Sequence, residues 1–410
     1  MKSEVIVLAR PFIGIRPVAG RADEIAVPPY DVVNTEEARA AAEGRPLSFF
    51  HVSRAEIDLP ADTDPYSGGV YKTAAQNLKK LEASGAVIRD SSLCFYVYRI
   101  TANGHAQTGV AFSASVDAYN CKRIKKHELT RPSKEDDRVR QIEAVNPITG
   151  PVLTVHRANA DLAALLVRAC SRAPDAVAAN VDGACHELWA VSDEDAVAMI
   201  GDAINSMDAI YIADGHHRYA AIENLSKKIN KKAHKKKKLS LLAAIFSKDE
   251  VNILSFHRLV KFKKFNKKSF LYGLKNTFLL KRESKFRTPC KPGSIMMYVK
   301  SQWYNISLHS NDKVYSKFET DVDIIERIII KNIANKKSGN LVSSLTNLPG
   351  KFAYKKLVRE VNDGRADAGF FICPLPMKKI MSIADRGMIV PKKSTYFDPK
   401  PADGLVNLQM

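Results

Sequence analysis

Apolar residues at Val70, Ala74, Leu78 and Leu81 recur at helical spacing, and Gly85 follows them. The pattern predicts a helix from Val70 to Ser84 that ends at the glycine. A second helix is expected to start near Thr35, with Asn34 or Thr35 as cap and acids at Glu36 and Glu37. Cys94–Ile100 and Gln107–Val116 are rich in β-branched and aromatic residues and flank Asn103-Gly104, which predicts a hairpin. Short apolar runs at Val152–Val155, Ala209–Ala213, Leu239–Phe246, Ile295–Lys300, Tyr304–Leu308 and Ala368–Ile372 read as further strands. Ala160–Cys170, Glu194–Met207, the stretch from Tyr219 onward and Pro376–Asp385 read as helices, and Asp323–Ala334 and Lys351–Asn362 add to the mixture. The predicted fold class is α+β.

Composition adds bounds. The 410 residues are 45% hydrophobic and 26% charged, ordinary values for a globular chain with room for two or three domains. No run of 18 apolar residues exists, so no membrane span is expected. The apolar run Val5–Ala9 is short and is followed by Arg10-Pro11, which does not suit a signal peptide; a cytoplasmic location is the expectation. Six scattered cysteines with no C-x-x-C pair read as free thiols rather than a zinc site.

The net charge of +19 is unevenly spread. Residues 1–225 hold 24 Lys and Arg against 30 Asp and Glu, whereas residues 226–300 hold 22 against 3. The composition suggests three segments, 1–225, a Lys-rich 226–345, and 346–410. The run from Lys227 to Lys238 would attract nucleic acid electrostatically, but it lacks the interleaved aromatic and glycine residues of a single-strand platform. A solvated loop is the preferred reading, with nucleic-acid binding kept as the less favoured one.

Four constellations carry candidate chemistry. The first, Asp214-Gly215-His216-His217-Arg218-Tyr219, joins an apolar strand to a helix through glycine. Amides at a helix start favour anions, Arg218 adds a bidentate phosphate donor, and His216 and His217 offer proton transfer near pH 7. Asp214 suits orientation of a histidine or a cation; the plain alternative is a capped helix with local hydrogen bonds. The second runs from Lys125 to Arg140. His127 and Glu128 are a candidate acid–base pair, Glu135, Asp136 and Asp137 a candidate divalent-cation site, and Arg131, Lys134 and Arg138 candidate phosphate contacts. Taken alone, this run is better read as a solvated, ion-paired helix. The third, Ala26–Val33, is a loop made rigid by Pro28-Pro29 that suits either ligand contact by Tyr30 and Asp31 or a buried tyrosine. The fourth, Val390–Lys400, carries Lys392, Lys393, Ser394 and Thr395 among aromatic residues and either closes over a phosphate or packs through Tyr396 and Phe397. No Walker loop, dinucleotide G-x-G-x-x-G, H-E-x-x-H or G-x-S-x-G motif is present.

These segments, with Pro11-Phe12, Gly14, Arg16-Pro17 and Ser48–Arg54, resemble in order the bacterial and archaeal domain-of-unknown-function family 1015. Stretch 226–340 departs from the family pattern except at Ile253–Leu259. Members are often labelled as partitioning proteins of the ParB type, and the Asp214–Tyr219 box is similar to the G-x-H-R box of ParB-like proteins, sulfiredoxins and free-serine kinases. The resemblance implies a ParB/sulfiredoxin-like mixed core around this turn. It also implies a nucleotide or substrate phosphate at the helix start, with Gly215, Arg218, Lys393, Ser394 and Thr395 among its contacts and Tyr219 beside them. An association with serine biosynthesis genes suggests phosphoserine chemistry. The expectation is therefore an enzyme of phosphoryl transfer or hydrolysis on a small phosphorylated metabolite, with Mg²⁺ as a candidate cofactor. The alternative is a ParB-like nucleotide- or DNA-binding protein, against which the absence of an evident helix-turn-helix weighs.

Overall fold

The computed structural model describes residues 6–231, 238–308, 320–333, 341–351 and 353–409. Residues 232–237, half of the Lys227–Lys238 run, lie outside the described residues. The chain groups into two compact units. Unit 1 gathers the chain up to Lys126, then Thr130–Val251 and the stretch from Pro399; unit 2 gathers His127–Leu129 and Asn252–Asp398.

Unit 1 is built on a nine-stranded mixed sheet. Its strands include β1 (Phe95–Ala102), β2 (His105–Ser115), β3 (Ile124–Lys125), β4 (Val152–His156), β5 (Ala176–Val181), β6 (Ala184–Val191), β7 (Ile210–Asp214) and β8 (Ser240–Ser247). They lie in the order β3-β7-β4-β8-β2-β1-β6-β5, and Ala9–Arg10 pairs with β2 off this path. Asn103 and Gly104 take φ of 51° and 74°, the paired left-handed geometry that matches hairpin twist between β1 and β2. Strand β8 pairs parallel with β4 and antiparallel with β2, which makes the sheet mixed.

Three helices matter for the site: α1 (Gly68–Ala83), α2 (Pro132–Val145) and α3 (His216–Asn230). Helix α1 buries Val70, Tyr71, Ala74, Leu78 and Leu81, the stripe its sequence spacing requires, and Gly85 follows at φ 69°. Helix α2 begins with proline at its first turn, where a missing N–H costs nothing. It is tied to α3 by Asn224 Nδ2 donating to Glu135 Oε2 at 2.7 Å and by Lys228 on Glu143 at 2.6 Å. The helix Thr35–Ala42 starts from Asn34 with a reciprocal capping box to Glu37.

The last residues of unit 1 are interior rather than trailing. Ala402, Leu405 and Val406 are fully buried, and Asn407–Gln409 forms a strand between Gly14–Pro17 and Pro147–Ile148. Asp403 and Val27 exchange both backbone hydrogen bonds, at 2.9 and 3.1 Å.

Unit 2 has a six-stranded antiparallel sheet of β9 (Phe256–Phe262), β10 (Leu279–Glu283), β11 (Ser294–Val299), β12 (Gln302–Ser307), β13 (Val342–Pro349) and β14 (Ala368–Phe371). The order is β10-β12-β11-β14-β9-β13. Helix Ala353–Asn362 packs Leu357 onto Gly369, where a Cβ would stand only 2.3 Å from the leucine. Phe270, Leu274, Met297, Ile325 and Phe370 belong to its core. The fold is thus mixed α+β in both units. Among the described residues, no helix is long and apolar enough to cross a membrane.

Candidate functional site

The site of unit 1 grows from β7. Ile210, Tyr211, Ile212 and Ala213 are all buried, so the strand is held on both faces and delivers Asp214 at its end. Gly215 then turns the chain at φ 94° and ψ 24°, a backbone state that disfavours any side chain. A Cβ there would also meet Val152 Cγ2 at 3.0 Å and the Arg218 guanidinium at 3.1 Å. Helix α3 starts at His216, earlier than the periodicity placed it, and no side chain caps its first turn. The leading amides of a helix have no partner inside it and carry partial positive charge, so a 15-residue helix opening on an uncapped glycine turn presents an anion cradle.

Arg218 lies under this turn, 6% exposed. Its Nη1 donates to the Pro151 carbonyl at 3.0 Å, and Nη2 stands 3.6 Å from Asp214 Oδ2. Burial works against its charge, but Asp31, Asp403 and Asp214 outweigh burial and hold the guanidinium ionised. Asp214 also accepts a hydrogen bond from Lys400 Nζ at 2.8 Å. Burial would raise the Asp214 pKa, yet Lys400 and Arg218 hold it well below the usual carboxylate range.

Asp403 is a further acid of the site. It is 2% exposed; its Oδ2 accepts the Tyr30 N–H at 3.1 Å, and its Oδ1 has no hydrogen-bond partner. Gly150, at φ 73°, makes this packing possible, since a Cβ there would stand 2.2 Å from Asp403 Oδ1 and 2.9 Å from Arg218 Nη1. Burial pushes the Asp403 carboxyl up to about 6, against Arg218 and with Asp31.

The motifs Tyr30-Asp31 and Arg131–Arg138 arrive at the same place. The Arg138 guanidinium stacks 3.9 Å from the Tyr30 ring centroid and donates to Asp137 Oδ2 at 2.9 and 3.1 Å. Asp137 Oδ1 accepts the Tyr71 hydroxyl of α1 at 3.0 Å. Burial raises the Tyr30 hydroxyl to about 12. Asp31 is exposed beside these groups. His217, half-buried, accepts the Arg131 N–H at Nδ1 across 3.3 Å, which assigns its ring proton to Nε2. His216 is buried on the first turn of α3.

Other predicted site residues have structural partners. Tyr219 is fully buried, stacked on Tyr119 at 4.4 Å, and its hydroxyl bonds to the Ser115 carbonyl. Lys134 donates to the Tyr66 hydroxyl at 2.7 Å. Asp136 is exposed, and Asp137 is committed to Tyr71 and Arg138. Among the described residues, no group of three His, Cys, Asp or Glu is placed to hold a metal ion.

His127, Glu128, Lys393, Ser394 and Thr395 belong to unit 2. There His127 is buried, with Nε2 at 3.4 Å from Thr395 Oγ1. Ser394 Oγ donates to the Pro391 carbonyl at 2.6 Å, and the Lys393 ammonium lies 4.8 Å from the Phe256 ring centroid. The turn is pinned by Arg258, whose side chain is wholly buried. It donates to the carbonyls of Phe256, Lys392 and Lys393 and pairs with Glu326 at 3.0 Å.

Sequence reasoning missed Gly150 and Asp403, and it reached Lys400 only as the last residue of the Val390–Lys400 segment. A signal existed in Pro399-Lys400-Pro401-Ala402-Asp403-Gly404, where prolines and glycine bracket opposite charges. A cavity of about 580 Å³ in unit 1 was also not foreseen. Its charged walls are largely self-paired, Arg16 with Asp90 and Arg172 with Asp175.

The family model described as a protein of unknown function, DUF1015, matches residues 9–330. The chain belongs to the DUF1015 family. A comparison with curated proteins gives no match. Among solved structures, the chain is similar to a C-terminally truncated SbnI from Staphylococcus aureus, with 15% identity, TM-score 0.38, and coverage of 71% of this chain and 84% of that one. It is similar to a variant free serine kinase in complex with ADP, with 12% identity, TM-score 0.37 and coverage of 72% and 91%. A conserved hypothetical protein from Pyrococcus furiosus gives 13% identity, TM-score 0.35 and coverage of 72% and 94%.

Proposed function

We propose that this DUF1015 protein binds the phosphate of a small phosphorylated metabolite or nucleotide at the Gly215–Arg218 turn and transfers or hydrolyses the phosphoryl group. The observation that carries the reading is the uncapped start of α3 on a left-handed glycine, directly over a buried arginine. Amides of Gly215, His216 and His217 hold the phosphate oxygens, and Arg218 supplies fixed positive charge beneath them. Arg131, exposed at the start of α2, neutralises charge at the mouth. A ParB/sulfiredoxin-like core around this turn is part of the same proposal.

In the hydrolytic form, water attacks phosphorus and the bond to the ester oxygen breaks. His217 Nε2–H gives its proton to that leaving oxygen, the oxygen of the attacking water stays on phosphorus as a hydroxyl, and its other proton returns to Nε2, so the imidazole ends as it began. In the transfer form, a substrate hydroxyl takes the place of water. Asp214, held ionised by Lys400 and Arg218, fixes the turn rather than moving a proton.

The test is phosphate release or transfer from phosphoserine and from nucleotides, wild type against His217→Ala and Arg218→Ala. Turnover by wild type with a loss of about 10²- to 10⁴-fold in His217→Ala supports the reading. No turnover on either substrate class, together with salt-sensitive DNA binding, replaces it with the ParB-like binding reading.

A further inference from the structure

Three carboxylates, Asp31, Asp214 and Asp403, surround the single guanidinium of Arg218. Arg138 is engaged with Asp137 and stacked on Tyr30. With these groups alone, the cradle would repel an anion. Lys400 brings a second cation to the turn. Its side chain is only 9% exposed, and its ammonium sits 2.8 Å from Asp214 Oδ1, on the residue that precedes the glycine turn. Nothing local in the chain places it there, since Lys400 and Asp214 are 186 residues apart.

The placement is built by the stretch from Pro399. The Pro399 carbonyl accepts Gln107 Nε2 at 3.3 Å, and the Ala402 N–H donates to the Tyr98 hydroxyl at 2.9 Å. That hydroxyl in turn lies 2.6 Å from Nδ1 of His186, whose pKa burial lowers to about 3, so the ring stays neutral and accepts. Asp403 then exchanges backbone bonds with Val27 and takes the Tyr30 N–H. Gly404, at φ 85°, passes so close to Phe49 that a Cβ would meet it at 2.7 Å. Lys400 is therefore fixed between two anchored points, Pro399 and Ala402, with its ammonium oriented by Asp214.

We propose that Lys400 is a phosphate-binding residue of the α3 site, delivered by the C-terminal stretch of unit 1. A phosphate on the α3 amides shares the ammonium with Asp214, and the ligand oxygens gain a charge-assisted donor held in place before binding. This assignment rests on the phosphate-site reading given above. Asp403, 2% exposed and with Oδ1 unpartnered, acts as a positioning residue for Tyr30 and Arg218.

The experiment is binding of inorganic phosphate to the full chain, followed by ³¹P line broadening across a salt series, in wild type, Lys400→Met, Lys400→Gln and Lys400→Arg. Loss of a charge-assisted contact predicts affinity about 10- to 100-fold weaker in Met and Gln, near-recovery in Arg, and a shallower salt dependence in the neutral variants. Circular dichroism identifies any variant that fails to fold, and the Gln-to-Arg comparison then carries the result. If wild type binds phosphate and folded neutral variants bind equally well with the same salt slope, Lys400 is only the ion-pair partner of Asp214 and this assignment falls alone. If wild type binds no phosphate, the site reading falls and takes this one with it.

Discussion

Asp403→Asn isolates the buried acid of the site. The Asp403 carboxyl rises from 3.8 to about 6 on folding because burial disfavours its charge. A raised pKa means that the folded state binds the proton more tightly. The stability gained from this is present below pH 4 and is lost as pH rises through 6. The full span, at about 1.4 kcal/mol per unit, is roughly 3 kcal/mol. Titrating both states between pH 4.5 and 7.5 spends about 2 kcal/mol of it. Asparagine keeps an oxygen for the Tyr30 N–H and removes the titration. The stability of wild type relative to Asp403→Asn should therefore fall by about 2 kcal/mol across that range, other carboxylates cancelling in the difference. Trp189 lies buried in unit 1 and Trp303 in unit 2, so a Trp303→Phe background makes fluorescence report unit 1 during urea unfolding. A wild-type-to-variant difference that does not change with pH would refute the reasoning, because Asp403 would then not titrate with a raised pKa.

Two other perturbations follow from the geometry. Gly215→Ala should destabilise unit 1 by about 2–3 kcal/mol, combining left-handed strain with contact on Val152 and Arg218; Gly104→Ala, left-handed but with open space around it, should cost only about 1 kcal/mol. Equal losses in urea unfolding would show that close approach at Gly215 is unimportant. Arg258→Met should cost unit 2 about 3–5 kcal/mol, since it leaves the carbonyls of Phe256, Lys392 and Lys393 without their donor. Thermal unfolding of unit 2 unchanged by that substitution would contradict the pinning role.

Local signals made much of the fold legible. The stripe Val70, Ala74, Leu78 and Leu81 gave α1, and Asn103-Gly104 gave the β1–β2 hairpin. The glycine at 215 marked the strand-to-helix turn because only backbone geometry is needed to read it. The hairpin β5–β6 carried an equally good signal in Asp182-Gly183, now seen at φ 52° and 82°, but its alanine-rich flanks hid the alternation. Non-local placement was not legible. Residues 125–140 look like one charged constellation, yet His127–Leu129 group with unit 2 while Thr130 onward groups with unit 1. Lys400 and Asp403 reach α3 through tertiary hydrogen bonds to Tyr98, Val27 and Tyr30, and no period or cap along the chain encodes that.

The most direct test is a crystal structure of the chain with phosphoserine or AMP bound. The account predicts phosphate density at the start of α3, within about 3 Å of the Gly215–His217 amides. Phosphate bound elsewhere, with those amides in solvent, would contradict it.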